Sequence, residues 1–160
     1  MENNVLAVLL PVYAKDSPEY FSLSVESILK QTYADFILYI GVDGPVNGKL
    51  DETIKSFECD ARVCPVRFKE NRGLAIVLND LIDIARRDGA EFFARMDADD
   101  ISMPDRFEKQ LKFLSDNLDI DVVGGAISEI DEEGKSRDKT VVYPQTPEEC
   151  RAFFAKRDPH

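Results

Sequence analysis

Asp97, Asp99 and Asp100 place three carboxylates within four positions, directly after the short apolar run Phe92-Phe93-Ala94. The run reads as a buried strand with an acidic end. Two like charges about 4 Å apart repel by roughly 1 to 4 kcal/mol at the dielectric of a protein surface, so a cation, hydrogen-bond donors or a helix N-terminus has to offset them. Asp97 and Asp99, one residue apart, offer hard oxygen ligands of the kind that hold magnesium or manganese together with the phosphates of a nucleotide. A purely structural reading competes with this one. Ser102-Met103-Pro104-Asp105 has the form of a helix start, with Ser102 as N-cap, Pro104 in the first turn and Asp105 at the capping-box position. The acids could then simply face that helix's positive end.

Composition narrows the chemistry. The chain has 160 residues, 44% of them apolar, which suits one domain with a single sizeable core. Its one histidine is His160, so no interior Ser/His or Cys/His arrangement exists, and a metal inside the domain must be held by carboxylates. Cys59, Cys64 and Cys150 are an odd set without C-x-x-C spacing, which argues against a disulfide framework or a zinc site. The net charge of −11, with no basic block, argues against nucleic acid and acidic membranes as partners. A polyanionic ligand would have to bring a metal. No apolar run approaches the roughly 20 residues of a membrane span, and Met1-Glu2-Asn3-Asn4 lacks the basic start of a signal peptide. The expected location is the cytoplasm, at most peripheral to the inner face of the membrane.

The elements that position the acids follow from hydrophobic periodicity. Val5 to Pro11 is a continuous apolar run of strand length that Pro11 should end. From Tyr20 to Gln31, Phe21, Val25, Ile28 and Leu29 mark one helix face, with Ser17-Pro18-Glu19 as cap and first turn. Phe36 to Val42 is a second buried strand ending in Asp43-Gly44-Pro45, and a helix spans about Lys49 to Phe57. Val63 to Phe68 is a third strand, followed by Glu70-Asn71-Arg72-Gly73 and a helix from Leu74 to Arg87 that Asp88-Gly89 ends. After the acids, Phe107, Leu111, Leu114 and Leu118 mark the face of another helix. Four strands each leading into a helix predict a doubly wound, mostly parallel α/β sheet with helices on both faces. Beyond Asn117 the rhythm predicts added β structure, Ala126 to Ile130 and Thr140 to Tyr143 around a turn at Asp131-Glu132-Glu133-Gly134, then a short helix from Pro147 to about Phe154.

In such sheets ligands sit outside the carboxyl ends of the strands. Asp43, Asn71, Arg72, Asp97 and Asp99 all stand there, on one expected rim. Each has a plainer reading: Asp43 as a turn residue, Asn71-Arg72-Gly73 as a helix entry, and Arg95 as a neutraliser of buried acids. Together they form a coherent nucleotide site.

Leu-Leu-Pro-Val-Tyr, Ser-Val-Glu-Ser-Ile-Leu-Lys-Gln-Thr-Tyr, Val-Asp-Gly, Asn-Arg-Gly-Leu and Arg-Met-Asp-Ala-Asp-Asp-Ile-Ser, in this order, give residues Val5 to Ile130 their resemblance to a known family. The stretch resembles the N-terminal half of family 2 glycosyltransferases of the GT-A type, bacterial surface-polysaccharide members among them. The resemblance implies a nucleotide-sugar donor, usually a UDP-sugar, and a saccharide or lipid-linked acceptor. It implies that Asp43 binds the base, that Arg72 lies near the nucleotide beside Asn71, that Asp97 lies near the ribose, that Asp99 binds Mn2+ or Mg2+ with Asp97 alongside, and that Pro11, Val12 and Tyr13 line the uridine pocket. The implied reaction is a single displacement with inversion at the anomeric carbon.

The family's catalytic base lies well downstream of the Asp-x-Asp, and no residue of this chain matches it. The expectation is one donor-binding domain over residues 1–160, truncated at its C-terminus, with the acceptor side incomplete. Alternatives are a non-catalytic nucleotide-binding fragment and a receiver-like signalling domain, although the latter usually carries acids after its first strand, where this chain has proline. A nucleotidylyltransferase would need a Gly-rich basic loop in place of Pro11-Val12-Tyr13-Ala14. An open sheet edge or uncovered apolar surface would favour a homodimer.

Overall fold

The computed structural model of the chain describes residues 6–157, so Val5, the Met1-Glu2-Asn3-Asn4 segment and His160 fall outside the described residues. The chain divides into two compact units, Met1–Leu111 and Lys112–His160.

In the first unit β1 (Leu6–Tyr13), β2 (Phe36–Asp43), β3 (Val63–Arg67) and β4 (Phe92–Arg95) alternate with α1 (Pro18–Leu29), α2 (Gly48–Phe57) and α3 (Leu74–Arg87). All four strands are parallel, in the order β3-β2-β1-β4. The chain steps outward from β1 to β3, and α3 then carries it back to the far side of β1. The order therefore reverses at the seam between β1 and β4, where open α/β sheets bind their ligands.

Strand alternation supplies two faces, and helical periodicity covers both. Val8, Leu10, Leu38 and Ile40 pack against Phe21, Val25 and Ile28 of α1, Leu50 and Ile54 of α2, and Phe107 at the start of α4 (Arg106–Asp116). Ala7, Leu9 and Tyr39 point the other way, against Val77, Leu81 and Ala85 of α3. Each large side chain fully buried here contributes about 1.5 to 3 kcal/mol. The doubly wound α/β fold is the one expected. α1 starts as expected too, with Ser17 Oγ accepting from the Tyr20 N–H (3.3 Å) and Pro18 in the first turn.

Four local expectations fail for identifiable reasons. Pro11 does not end β1, which continues to Tyr13. The Leu9 carbonyl accepts from the Met96 N–H on the β4 side (3.0 Å), and Pro11, two residues on, turns its missing N–H to that same side, beyond the last β4 partner, Arg95. The ladder loses no donor. β4 is an edge of the four-stranded sheet and not a strand buried on both faces: Ala94 is buried, but Phe93 and Arg95 are exposed. Ser102 is not an N-cap, because α4 begins only at Arg106, and Ser102 is buried with its Oγ accepting from Gln31 Nε2 (3.1 Å). Finally, Leu118 lies past the end of α4 and is exposed, so on the expected stripe Phe107 is buried and Leu111 and Leu114 are partly buried.

The second unit holds β5 (Ile127–Ile130) and β6 (Ser136–Val141), an antiparallel hairpin, and α5 (Pro147–Arg157). Asp131 Oδ1 closes the turn by accepting from the Glu133 and Lys135 N–H groups (3.0 and 2.9 Å). α5 opens with a reciprocal cap, the Glu149 N–H donating to Thr146 Oγ1 and the Thr146 N–H to Glu149 Oε2, both at 3.2 Å. Cys59, Cys64 and Cys150 are free thiols. Among the described residues no helix is long and apolar enough to cross a membrane.

Candidate functional site

The carboxyl ends of β1, β2 and β4, with the loop between β3 and α3, enclose a cavity of about 490 Å³ at the sheet's reversal point. Pro11, Val12 and Tyr13 line it from β1, Asp43 from β2, Asn71 from the β3–α3 loop, and Asp97 and Asp99 from the segment after β4. Seven residues singled out in the sequence thus meet at one place. Arg72 does not line the cavity.

Asp43 organises the wall between β2 and β3. It is buried at the last position of its strand, and its carboxylate accepts from two successive main-chain N–H groups, Arg72 (2.7 Å, Oδ1) and Gly73 (2.9 Å, Oδ2). Asn71 Nδ2 adds a longer bond to the Asp43 carbonyl (3.4 Å). The two loops touch through Gly44, whose φ of +81° suits a residue without Cβ; a Cβ there would lie 2.6 Å from the Asn71 nitrogen. Asp43 is therefore a clamp on the β3–α3 loop, as well as an acid with lone pairs left at the cavity.

The Arg72 side chain is turned away from the cavity. Its guanidinium lies 4.7 Å from the Phe68 ring centre and pairs with Asp80 of α3 through Nη2, while Nε is buried without a hydrogen-bond acceptor among the described residues. What the residue gives the site is its main-chain N–H.

Asp97 and Asp99 sit beside two further acids. Arg95 pairs with Asp97 (Nη2 to Oδ1, 2.7 Å), but with side chains 55% and 43% exposed this is a solvated pair and not the neutralisation of a buried acid. Such pairs contribute under about 1 kcal/mol. Asp16, which sequence reasoning missed, lines the cavity and accepts from the Tyr13 N–H through Oδ2 (2.8 Å). An Asp three residues past a strand end is the pattern of a loop that closes on its own backbone, and that signal was available. Burial raises the Asp16 carboxyl above its ordinary range, and the charges of Asp99 and Asp97 add to the effect. Asp100 is raised likewise, by desolvation first and then by Asp97 and Asp99. Arg106 approaches from below, donating to the Arg95 carbonyl (2.9 Å).

This donor set fits one kind of metal. Among the described residues no group of three or more His, Cys, Asp or Glu side chains converges as a cage. A cation that takes one or two carboxylates and completes its shell with phosphate oxygens and water needs no cage, and magnesium and manganese behave in that way. The mutual repulsion of Asp16, Asp97, Asp99 and Asp100 is the cost such a cation would relieve. Chemically, the cavity offers an apolar wall at Pro11 and Val12, the Tyr13 ring, acceptors at Asp43 and a carboxylate pair at the opposite side.

Comparison with known proteins gives the family and the fold. Residues 7–158 match the family described as Glycosyl transferase family 2. An uncharacterized glycosyltransferase of Methanocaldococcus jannaschii, MJ1057, is 36% identical over 135 residues, covering 84% of this chain and 45% of that protein. The amylovoran biosynthesis glycosyltransferase AmsE of Erwinia amylovora is 32% identical over 156 residues, covering 97% of this chain and 56% of that protein. The chain spans about half the length of these curated relatives. Among solved structures, S. aureus TarS 1-349 in complex with UDP-GlcNAc superposes with a TM-score of 0.60 at 16% identity, over 71% of this chain and 32% of that one. The mannosyltransferase PcManGT from Pyrobaculum calidifontis, in complex with GDP-Man and Mn2+, gives 0.57 at 20% identity, over 79% and 35%. At these identities the likeness establishes a shared fold.

Proposed function

The chain belongs to glycosyl transferase family 2, and on that premise we propose that its cavity binds a nucleotide-sugar donor, a UDP-sugar, whose sugar passes to a saccharide or lipid-linked acceptor in surface-polysaccharide synthesis. The observation that carries this reading is the meeting of Pro11, Val12, Tyr13, Asp43, Asn71, Asp97 and Asp99 around one cavity at the β1/β4 seam. The amylovoran relative supports the polysaccharide assignment, and the TarS complex supports the UDP-sugar.

In this reading the base lies against Pro11, Val12 and Tyr13, and Asp43 accepts from it while holding the β3–α3 loop. Asn71 faces the nucleotide from that loop. Arg72 stands behind Asp43, acting through the N–H it donates there. Asp97 takes the ribose side, and Asp99, with Asp97, would hold Mn2+ or Mg2+. When bound, that cation supplies charge neutralisation at the departing diphosphate. Displacement at the anomeric carbon is single and inverting, and a carboxylate base must take the acceptor hydroxyl's proton. We assign that base to no residue of this chain, which carries the donor side of the reaction.

Calorimetric titration of UDP, with Mn2+ and then with excess chelator, tests the reading. Metal-dependent binding that Asp99→Ala weakens at least about tenfold, near 1.4 kcal/mol, is the expected result. A folded chain that binds no UDP would overturn it, and GDP in a parallel titration distinguishes a different nucleotide from none.

A further inference from the structure

One edge of α1 is polar and turned inward. Ser24 is fully buried, and its Oγ donates to the Asp97 carbonyl at 2.9 Å. Ser27 Oγ accepts from the Ser102 N–H at 2.9 Å. Gln31, just beyond the helix and 6% exposed, donates through Nε2 to the Met103 carbonyl (2.7 Å) and to Ser102 Oγ (3.1 Å), and accepts the Phe107 N–H on Oε1 (3.1 Å). These residues recur at i, i+3 and i+7, beside the apolar stripe Phe21, Val25 and Ile28. They meet the segment from Asp97 to Phe107 at four places, Asp97, Ser102, Met103 and Phe107.

That segment has few bonds of its own. Within it, the Asp100 N–H reaches the Asp97 carbonyl at 3.4 Å and the Arg106 N–H reaches the Met103 carbonyl at 3.1 Å. To the sheet it is attached through the Met96 N–H on the Leu9 carbonyl, the Arg106 guanidinium on the Arg95 carbonyl and the solvated Arg95–Asp97 pair. The main chain that carries Asp97 and Asp99 is therefore held at Asp97 and again at Ser102 and Met103 by α1 and the residue just past it, on the sheet's α1 face. We infer that Ser24, Ser27 and Gln31 are positioning residues for the acid pair, setting where Asp97 and Asp99 present their oxygens to a cation and a nucleoside diphosphate. The inference rests on the donor-site reading above.

Three variants test it: Ser24→Ala, Ser24→Cys, which keeps the volume and a weak donor, and Gln31→Met. Tyr39→Phe is the control, since it removes a half-buried hydrogen bond to Asp88 (2.9 Å) on the opposite face of the sheet. Mn2+-dependent UDP affinity and amide hydrogen exchange over residues 97–106 are measured on each folded variant. Ser24→Ala and Gln31→Met should weaken binding by about tenfold or more, as loss of a group orienting a metal ligand does, while Ser24→Cys recovers part of it and Tyr39→Phe changes nothing. Unchanged affinity in Ser24→Ala with faster exchange would assign α1 a role in stability alone and overturn the inference. Equal losses in Tyr39→Phe would do the same. A wild-type chain that binds neither UDP nor Mn2+ overturns the donor-site reading itself, and the wild-type titration alone distinguishes that failure.

Discussion

Replacing Gly44 by alanine should destabilise the chain by more than backbone conformation accounts for. Gly44 and Gly89 have similar left-handed backbones, with φ of +81° and +93°. A Cβ in that region costs roughly 1 to 2 kcal/mol at either position. At Gly89 the new methyl meets no atom within 4 Å, whereas at Gly44 it would sit 2.6 Å from the Asn71 nitrogen and 3.0 Å from the Glu70 carbonyl carbon. Main chain cannot rotate aside as a side chain can, so the β3–α3 loop must move bodily, an overpacking of about 1 to 3 kcal/mol. Gly89→Ala should then lose about 1 kcal/mol and Gly44→Ala about 3. In urea denaturation the two midpoints should be separated by roughly 1 M. Because the displaced loop carries Asn71 to the cavity, UDP affinity should also fall about tenfold in Gly44→Ala, or 1.4 kcal/mol, and stay at the wild-type value in Gly89→Ala. Midpoints within about 0.2 M of one another would refute the close approach of the two loops. Separated midpoints with equal UDP affinities would refute the loop's part in the donor site.

Asp43→Ala leaves the Arg72 and Gly73 N–H groups without their acceptor and should lose about 1 to 3 kcal/mol for each that stays dry, read by denaturation, together with UDP binding. Phe107→Ala removes a fully buried ring whose centre lies 5.7 Å from that of Phe36, and should destabilise the first unit by about 3 to 5 kcal/mol. For Asp60, bonds from the Arg62 guanidinium (2.8 Å) and the Arg62 N–H (2.9 Å) hold the carboxyl down at about 2. Its folded value lies below the unfolded one of about 3.9, so the stabilisation is complete above that pH and is lost as pH falls towards the folded value. With both side chains 29% exposed, Asp60→Asn should cost about 1 kcal/mol near neutrality. Melting curves of wild type and variant should converge near pH ~2.

Helix and strand limits were legible where apolar spacing and punctuation agree. α3 runs from Leu74 to Arg87 as its periodicity and Asp88-Gly89 predict, because an apolar stripe and a turn residue are both local signals. The rim of the cavity was legible for the same reason, since a parallel sheet aligns its carboxyl ends whatever the side chains. Other features depended on partners remote in sequence. Ser102 has the local form of a cap, yet Gln31 and Ser27 claim it from another element. Arg72 has the charge to meet a phosphate, yet Phe68 and Asp80 hold its side chain elsewhere. The inward polar edge of α1 escaped notice because serine and glutamine beside an apolar stripe resemble the start of a solvent face; their i, i+3, i+7 spacing was the available sign.

The strand order also has a temporal side. β1 precedes the other three strands of its sheet in the chain, but its pairing on one side waits for β4, with Leu6 opposite Phe92, whereas β1, β2 and β3 can associate as each emerges. The seam that forms the cavity is thus the contact of greatest sequence separation in the sheet, and closing it follows the slower, non-local part of folding. Substitutions at the seam, Ala94 among them, should mainly speed unfolding, and substitutions between β1 and β2 should slow folding. Stopped-flow folding of such a pair would read the order directly: pairing β1 with β2 and β3 makes no place for a ligand until β4 joins β1.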